Sequence, residues 1–147
     1  MLVHPARIRP LSPNAPQSGP IVYWMHRDQR AVDNWSLAAA GELAGRSGAP
    51  LIVVFALARD FPGTTDRHYD FMLRGLAETE AALRTCGIPL VLVTGNPAVT
   101  VPALLAELGA GVCVTDFDPL RIKKRWKAAV AAAFSGQFLE VDAHNVV

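Results

Sequence analysis

The stretch Ile21-Val22-Tyr23-Trp24-Met25, followed directly by His26-Arg27-Asp28-Gln29-Arg30, decides the fold. Its first five residues form a short apolar run with little polar alternation, which is typical of a strand buried on both faces of a parallel sheet. The charged residues after the run mark a loop at the carboxyl end of that strand. Four more runs of the same kind follow, over residues 51–57, 90–94, 112–115 and 138–142.

Helical patterns separate these runs. The clearest covers residues 66–86, where apolar side chains recur at helical spacing between a capping Asp66 and a terminating Gly87. Further helices are predicted over residues 33–47 with Asp33 as cap, from Asn96 onward, and over residues 120–134. Strands that alternate with helices predict an α/β fold: an open, doubly wound parallel sheet of about five strands with helices on both faces, Rossmann-like in architecture.

The first 20 residues have a different composition. They contain five prolines together with Ser, Asn, Gln and Gly, which is typical of a segment outside the packed core. We therefore predict a proline-rich N-terminal arm over residues 1–20 and one α/β domain over residues 21–147.

Composition and charge exclude several classes of protein. The formal net charge of +1 gives no overall electrostatic signature of nucleic-acid binding. The apolar runs are too short to cross a bilayer, and no export signal opens the chain. The residues show no Cys/His spacing typical of a metal site and no pairing typical of nucleophilic catalysis. We expect a soluble, cytoplasmic protein with no membrane partner, no metal site and no catalytic residue of its own.

The loops that follow the strands are the expected place for a ligand. In doubly wound sheets, ligands bind beyond the carboxyl ends of the strands. The first loop carries no glycine-rich phosphate motif, so nothing in it predicts a cradle for pyrophosphate. The basic stretch of residues 121–127 is interpreted as a solvated helix face, with Trp126 turned inward and lysine stems covering its edge.

Four stretches, in this order, resemble the DNA photolyase family. They are residues 21–30 with Asp33-Asn34-Trp35-Ser36-Leu37 behind them, residues 67–76 (Arg-His-Tyr-Asp-Phe-Met-Leu-Arg-Gly-Leu), residues 114–121 (Val-Thr-Asp-Phe-Asp-Pro-Leu-Arg) and residues 141–147 (Val-Asp-Ala-His-Asn-Val-Val). Met25 after Trp24, and the Val-Asp-Ala-His-Asn ending, resemble class II photolyases more than class I photolyases and cryptochromes.

The resemblance implies a function that is divided between two domains. Family members of this type repair cyclobutane pyrimidine dimers with light, and their Rossmann-like antenna domain can hold a deazaflavin or a reduced folate that passes excitation energy to FAD. FAD and the lesion belong to a larger helical domain, which this chain is expected to lack. The resemblance therefore implies that the chain holds an antenna chromophore, docks on the FAD-binding helical domain, meets damaged DNA only through the whole protein and is inactive alone.

Topology and resemblance together predict a chromophore crevice at the strand ends. A planar, largely apolar ligand needs apolar walls and a few polar anchors. The predicted walls are Met25, Phe55, Leu57, Phe117 and Leu120, and the predicted anchors are Arg27, Asp28, Asp116 and Asn145.

Two other readings of the sequence stay open. A free-standing nucleotide-binding domain of the universal-stress type has the same general architecture. It would need a glycine-rich phosphate loop late in the chain, and Gly109-Ala110-Gly111 is too short and too early in its helix–strand turn to serve well. Alternatively, the chain is an interaction module, because the surface that would meet a helical domain is free to self-associate. On this basis we expect a dimer or a larger assembly at high concentration.

Overall fold

The computed structural model describes residues 2–59 and 61–146. Three residues that enter the sequence predictions lie outside the described ranges: Met1 in the arm, Asp60 in the loop after the second apolar run, and Val147 at the end of the fourth signature.

A mostly parallel sheet organises the described residues, which confirms the predicted α/β class. Its six strands are β1 (Ile8–Pro10), β2 (Ile21–Trp24), β3 (Leu51–Leu57), β4 (Leu90–Thr94), β5 (Val112–Asp116) and β6 (Gln137–Val141), in the order β1-β6-β5-β2-β3-β4. The four helices are α1 (Trp35–Ser47), α2 (Asp66–Thr85), α3 (Pro97–Leu108) and α4 (Arg121–Ala133). All strand pairs are parallel except β1 with β6.

Side chains alternate between two cores, one on each face of the sheet. On β2, Tyr23 points into a core shared with α1 and α2, whereas Trp24 points into a core shared with α3 and α4. Because successive strand residues face opposite sides, a strand buried on both faces must be apolar throughout. All four residues of β2 are buried, as the sequence predicted.

The predicted unpacked arm is the main difference from the sequence prediction. Residues Ile8–Pro10 pair with β6 as an antiparallel edge strand, and Val3 is fully buried in the core next to α1. Arg7 donates to the carbonyl oxygen of Asp142 at 2.9 Å. Proline is compatible with an edge strand because the N–H it lacks can face outward, so proline content alone did not exclude this packing. The sheet has six strands, one more than predicted.

The glycine turn before β5 is covered by the chain itself. A Cβ on Gly111 would lie 2.0 Å from the carbonyl oxygen of Gln17, so only glycine allows the N-terminal segment to approach this closely. The turn lies at the amino end of β5, whereas ligands of such sheets bind at carboxyl ends. Both observations disfavour Gly109-Ala110-Gly111 as a phosphate-binding loop.

Side-chain caps mark the starts of α1 and α3, whereas the cap of α2 is Thr65 and not the predicted Asp66. Asn34, not the predicted Asp33, caps α1 by accepting a hydrogen bond from the N–H of Leu37 at 2.9 Å. The backbone of Asp33 adopts the left-handed conformation, with φ 53°. Asn96 caps α3, as predicted. Within residues 2–59 and 61–146, no helix combines the length and the apolar character needed to cross a membrane.

Candidate functional site

The carboxylate of Asp116, at the end of β5, organises the loop that follows β2. One oxygen accepts the Tyr23 hydroxyl at 2.7 Å. The other accepts the backbone N–H groups of His26, Arg27 and Asp28 at 3.0, 2.9 and 3.2 Å. Asp116 is buried, and a buried carboxylate needs such donors to remain ionised. Asp116 therefore fixes the first turn of the loop from the neighbouring strand β5.

Asn34 extends this arrangement to α1. Its side-chain amide donates to the Tyr23 hydroxyl at 3.0 Å and to the carbonyl oxygen of Asp28 at 2.9 Å. Burial, together with the negative charge of Asp116, raises the pKa of Tyr23 well above its usual value, so its hydroxyl stays a donor. We call Tyr23, Asn34, Asp116 and the N–H groups of residues 26–28 the Asp116 cluster.

A cavity of about 260 Å³ lies beside this cluster, at the carboxyl ends of β2 and β3. It is bounded by those strand ends, by the loop leading to α2, by α2 itself and by α4. Its described lining residues are Trp24, His26, Gln29, Phe55, Ala56, Leu57, Ala58, Phe61, Thr64, His68, Tyr69, Met72, Lys123 and Trp126.

Aromatic rings form much of the wall of this cavity. The Phe61 and Trp126 rings meet edge to face, with centroids 6.1 Å apart, and Lys123 Nζ lies 5.6 and 5.5 Å from their respective centroids. The single hydroxyl proton of Tyr69 is shared between the carbonyl oxygens of Ala58 and Arg59, which lie 2.7 and 2.6 Å from the hydroxyl oxygen. The loop between β3 and α2 is thus tied to α2, which gives the cavity a defined shape.

The polar side chains that line the cavity come from β2 and the loop after it, from the loop before α2, from α2 and from α4. Trp24 Nε1 and His26 Nε2 are buried without a hydrogen-bond partner in the described structure. Lys123 Nζ lies 3.5 Å from His26 Nδ1 and 4.0 Å from a carboxylate oxygen of Asp118. Burial lowers the pKa of His26 to about 3, so this imidazole is neutral near pH 7. Both unpartnered nitrogen atoms are buried from the cavity as well as from solvent, so they belong to the wall behind it.

The structure does not bring the nine predicted site residues together. Phe55 and Leu57 line the cavity. Met25 is fully buried in the core beside α1, Arg27 and Leu120 are exposed, and the carboxylate of Asp116 is occupied by the loop. Asp28 is buried and lies in that loop, and exposed Asn145 bonds to Asp142. A chromophore contact by any of the nine remains a prediction.

Phe117, another predicted wall, lies in a separate concavity between β6 and α4. There Lys127 and Glu140 form an ion pair in which both side chains are buried, and Arg9 from β1 also contacts Glu140. The interpretation of residues 121–127 as a solvated face is therefore wrong for Lys127 and for the largely buried Lys123. It is right for Trp126, which turns inward.

The lining residues that sequence reasoning missed include Trp24, His26, Phe61, Tyr69, Met72, Lys123 and Trp126. Strand alternation carried a usable signal for two of them. If the extended chain of β2 continues past Trp24, then Trp24 and His26 point to one face of the sheet and Met25 points to the other. Sequence alone carried no such signal for Lys123, whose burial depends on where α4 packs. Among the described residues, no group of three His, Cys, Asp or Glu side chains is placed to hold a metal ion.

Comparison with known proteins places this geometry in context. The chain is similar to the deoxyribodipyrimidine photo-lyase of Arabidopsis thaliana, with 44% identity over 99% of the chain and 31% of that protein. It is also similar to that of Potorous tridactylus, with 47% identity over 89% of the chain and 25% of that protein. The chain thus spans about a quarter to a third of the length of these relatives.

Solved structures share the fold. A bacterial class III photolyase from Agrobacterium tumefaciens superposes with a TM-score of 0.68 at 23% identity, over 88% of this chain and 27% of that one. A putative universal stress protein from Pseudomonas aeruginosa superposes with a TM-score of 0.60 at 18% identity, over 91% of this chain and 49% of that one. At these identities both likenesses show architecture alone.

Family membership rests on the sequence comparison. The sequence model described as DNA photolyase matches residues 21–147, which is most of the chain and includes all four signature stretches. The chain belongs to the DNA photolyase family.

Proposed function

We propose that this chain is the N-terminal domain of a deoxyribodipyrimidine photolyase, of the class II type, and that its cavity holds a light-harvesting chromophore. The observation that carries the proposal is the aromatic cavity at the carboxyl ends of β2 and β3. In the whole protein, FAD on a separate helical domain would supply the electron that splits a cyclobutane pyrimidine dimer. The residues of this chain would bind and orient the antenna.

The size and lining of the cavity support a ring-shaped ligand. Its volume of about 260 Å³ is slightly below the roughly 300–1,000 Å³ common for sites of drug-sized ligands. A fused ring system would fit against Phe55, Phe61, Met72 and Trp126, and a polar tail would extend into solvent. A deazaflavin and a reduced folate both combine a flat ring with such a tail, and both stay candidates.

The same substitution at two leucines tests this location. Leu57→Trp should fill the cavity and weaken binding of an added 5-deazaflavin or reduced folate at least tenfold, because Leu57 lines the cavity. Leu120→Trp should leave binding unchanged, because Leu120 is 49% exposed and does not line it. The change in chromophore absorbance and fluorescence on titration measures affinity, and thermal unfolding verifies that both variants are folded.

The two variants distinguish chromophore binding in the cavity from binding in the crevice that the sequence predicted. Loss of binding in Leu120→Trp with retention in Leu57→Trp would place the chromophore elsewhere on the domain. Absence of any spectral change with either chromophore, in a folded wild-type protein, would contradict the antenna role.

The partners of the domain follow from the same proposal. We expect it to dock on the FAD-binding helical domain, to approach damaged DNA only through the whole protein, and to act in the cytoplasm. Phe71 on α2 is 81% exposed and Leu92 on the edge strand β4 is 45% exposed. Exposed apolar side chains favour self-association of the isolated domain, which sedimentation equilibrium would detect as a mass above that of a monomer.

A further inference from the structure

Helix α4 begins with a concentration of positive charge. Five of its first seven residues are Arg or Lys, and no residue of its first turn is acidic. The N-terminus of a helix already carries a partial positive charge, so cations in this position are electrostatically unfavourable. Leu120 at the N-cap supplies no side-chain acceptor that would offset this charge. The helix therefore starts in a positive field that its own residues do not neutralise.

Two of the five cations are paired within the fold. Lys123 Nζ lies 4.0 Å from a carboxylate oxygen of Asp118, and Lys127 forms the buried ion pair with Glu140. Buried charges of this kind need such partners. These two lysines are therefore part of the packed structure.

The other three cations form an exposed basic row, which consists of Arg121, Lys124 and Arg125. Their spacing of three and four residues places them on one face of α4. Among residues 2–59 and 61–146, none of the three has a carboxylate within 4.0 Å. By contrast, the exposed Arg74 and Arg84 of α2 each pair with a carboxylate one helical turn away.

The surface around the basic row adds no negative charge. Every acidic side chain between residues 112 and 141 is buried, namely Asp116, Asp118 and Glu140. Arg9 on β1, whose side chain is 67% exposed, lines the same concavity between β6 and α4 as Lys124 does. The formal net charge of +1 for the whole chain thus conceals a local surface that presents cations alone.

We infer that the basic row, continued by Arg9, binds the phosphate backbone of nucleic acid independently of sequence. Arg and Lys side chains contact phosphates without reading bases. A protein partner would need apolar or aromatic anchors, and a lipid surface would need large apolar side chains to insert. Besides the basic row, the exposed residues of α4 are alanines, at positions 128, 132 and 133. Leu120 is a single exposed leucine ahead of the helix, and scattered apolar residues are normal on surfaces.

This contact is additional to the proposed antenna function and does not depend on it. The lesion is still expected to be met only through the whole protein, and the basic row would hold the backbone outside the lesion. Duplex binding without chromophore binding would sustain this inference and contradict the antenna role. Chromophore binding without duplex binding would do the reverse.

Salt-dependent binding of an undamaged, fluorescein-labelled DNA duplex tests the inference on the full chain. Fluorescence anisotropy from about 50 to about 200 mM salt should give a log–log slope of the association constant near about −3, because each phosphate contact contributes about −0.9. Neutralising the basic row should weaken binding at the lowest salt by roughly tenfold or more and flatten the slope. This variant is Arg121→Gln, Lys124→Gln and Arg125→Gln combined, and thermal unfolding verifies that it is folded.

A matched control removes the same charge from exposed positions of α1 and α2, which pack on the opposite face of the sheet. This variant combines Arg46→Gln, Arg67→Gln and Arg84→Gln, and it should keep wild-type binding. Equal weakening by both variants would overturn the inference, because binding would then follow net charge alone. Tighter binding of phosphatidylserine vesicles or of poly-glutamate than of the duplex would overturn the assignment to nucleic acid.

Amide shifts of the wild-type protein provide a second measurement, should the neutralised variant fail to fold. Addition of the duplex should shift ¹H–¹⁵N signals of residues 121–125 and of Arg9 most strongly. Shifts confined to other parts of the chain would overturn the inference.

Discussion

Replacing Asp116 with alanine is expected to lower the free energy of unfolding by at least about 3 kcal/mol, because it removes a buried ionised acceptor from four donors at once. The Tyr23 hydroxyl and the N–H groups of residues 26–28 would lose their partner. The loop after β2 would then lose its anchor on β5. Urea unfolding followed by circular dichroism measures the change.

Asp70→Ala provides the matched control. Asp70 is an exposed carboxylate on α2 whose ion pair with Arg74 spans one helical turn, and such surface pairs contribute roughly 0.3–0.5 kcal/mol. A loss for Asp116→Ala no larger than that for Asp70→Ala would show that the Asp116 cluster does not hold the loop. Should Asp116→Ala fail to fold, Tyr23→Phe removes one donor and should cost about 1 kcal/mol.

Acidification is expected to destabilise the domain through His26. An unfolded histidine has a pKa of about 6.5, whereas burial lowers the pKa of His26 in the folded protein to about 3. Between these pH values the unfolded chain binds the extra proton, so the free energy of unfolding falls as the pH falls. One proton contributes a loss of about 1.4 kcal/mol per pH unit across this window. Unfolding curves recorded from pH 7 to pH 3.5 measure the slope.

The variant His26→Gln isolates this contribution, because glutamine does not titrate. Its stability should depend on pH less steeply than that of the wild-type protein between pH 6.5 and pH 3.5. The lowered pKa of Asp116, which burial opposes but its neighbours and hydrogen bonds outweigh, adds acid sensitivity below the ordinary pKa of a carboxyl. His144→Gln, at an exposed position, should keep the wild-type slope. Parallel curves for wild type and His26→Gln would show that His26 accepts a proton without unfolding.

The architecture was accessible from sequence because its signals are local. An apolar β2, an asparagine-proline start to α3 and glycine stops after helices each act within a few residues, so strand and helix positions were predicted closely. The cap of α1 was predicted at Asp33 but is Asn34, since both Asp and Asn favour that position and only the backbone conformation distinguishes the two residues. Strand β1 was missed because its pairing partner lies at the other end of the sequence.

The candidate site was less accessible because its geometry is made by contacts between distant elements. Met25 was predicted as a wall, yet strand alternation directs it into the core and leaves Trp24 and His26 at the cavity. Asp116 was predicted as an anchor for a ligand, yet its oxygens are used by the loop. A carboxylate at a strand end looks the same in sequence whether it holds a ligand or a backbone segment, and only the packed structure distinguishes these roles.

The pairing of β1 with β6 has a consequence for how this domain is made. Ile8 lies opposite Val141, so the earliest of the six described strands pairs with the latest of them. Closing so long a loop is entropically costly and contributes to slow folding. During synthesis, residues 8–10 have no strand to pair with until β6 has been synthesised. This sheet edge is therefore expected to assemble only after residues 137–141 have left the ribosome, even if the parallel core around β2 and β3 forms earlier on the nascent chain.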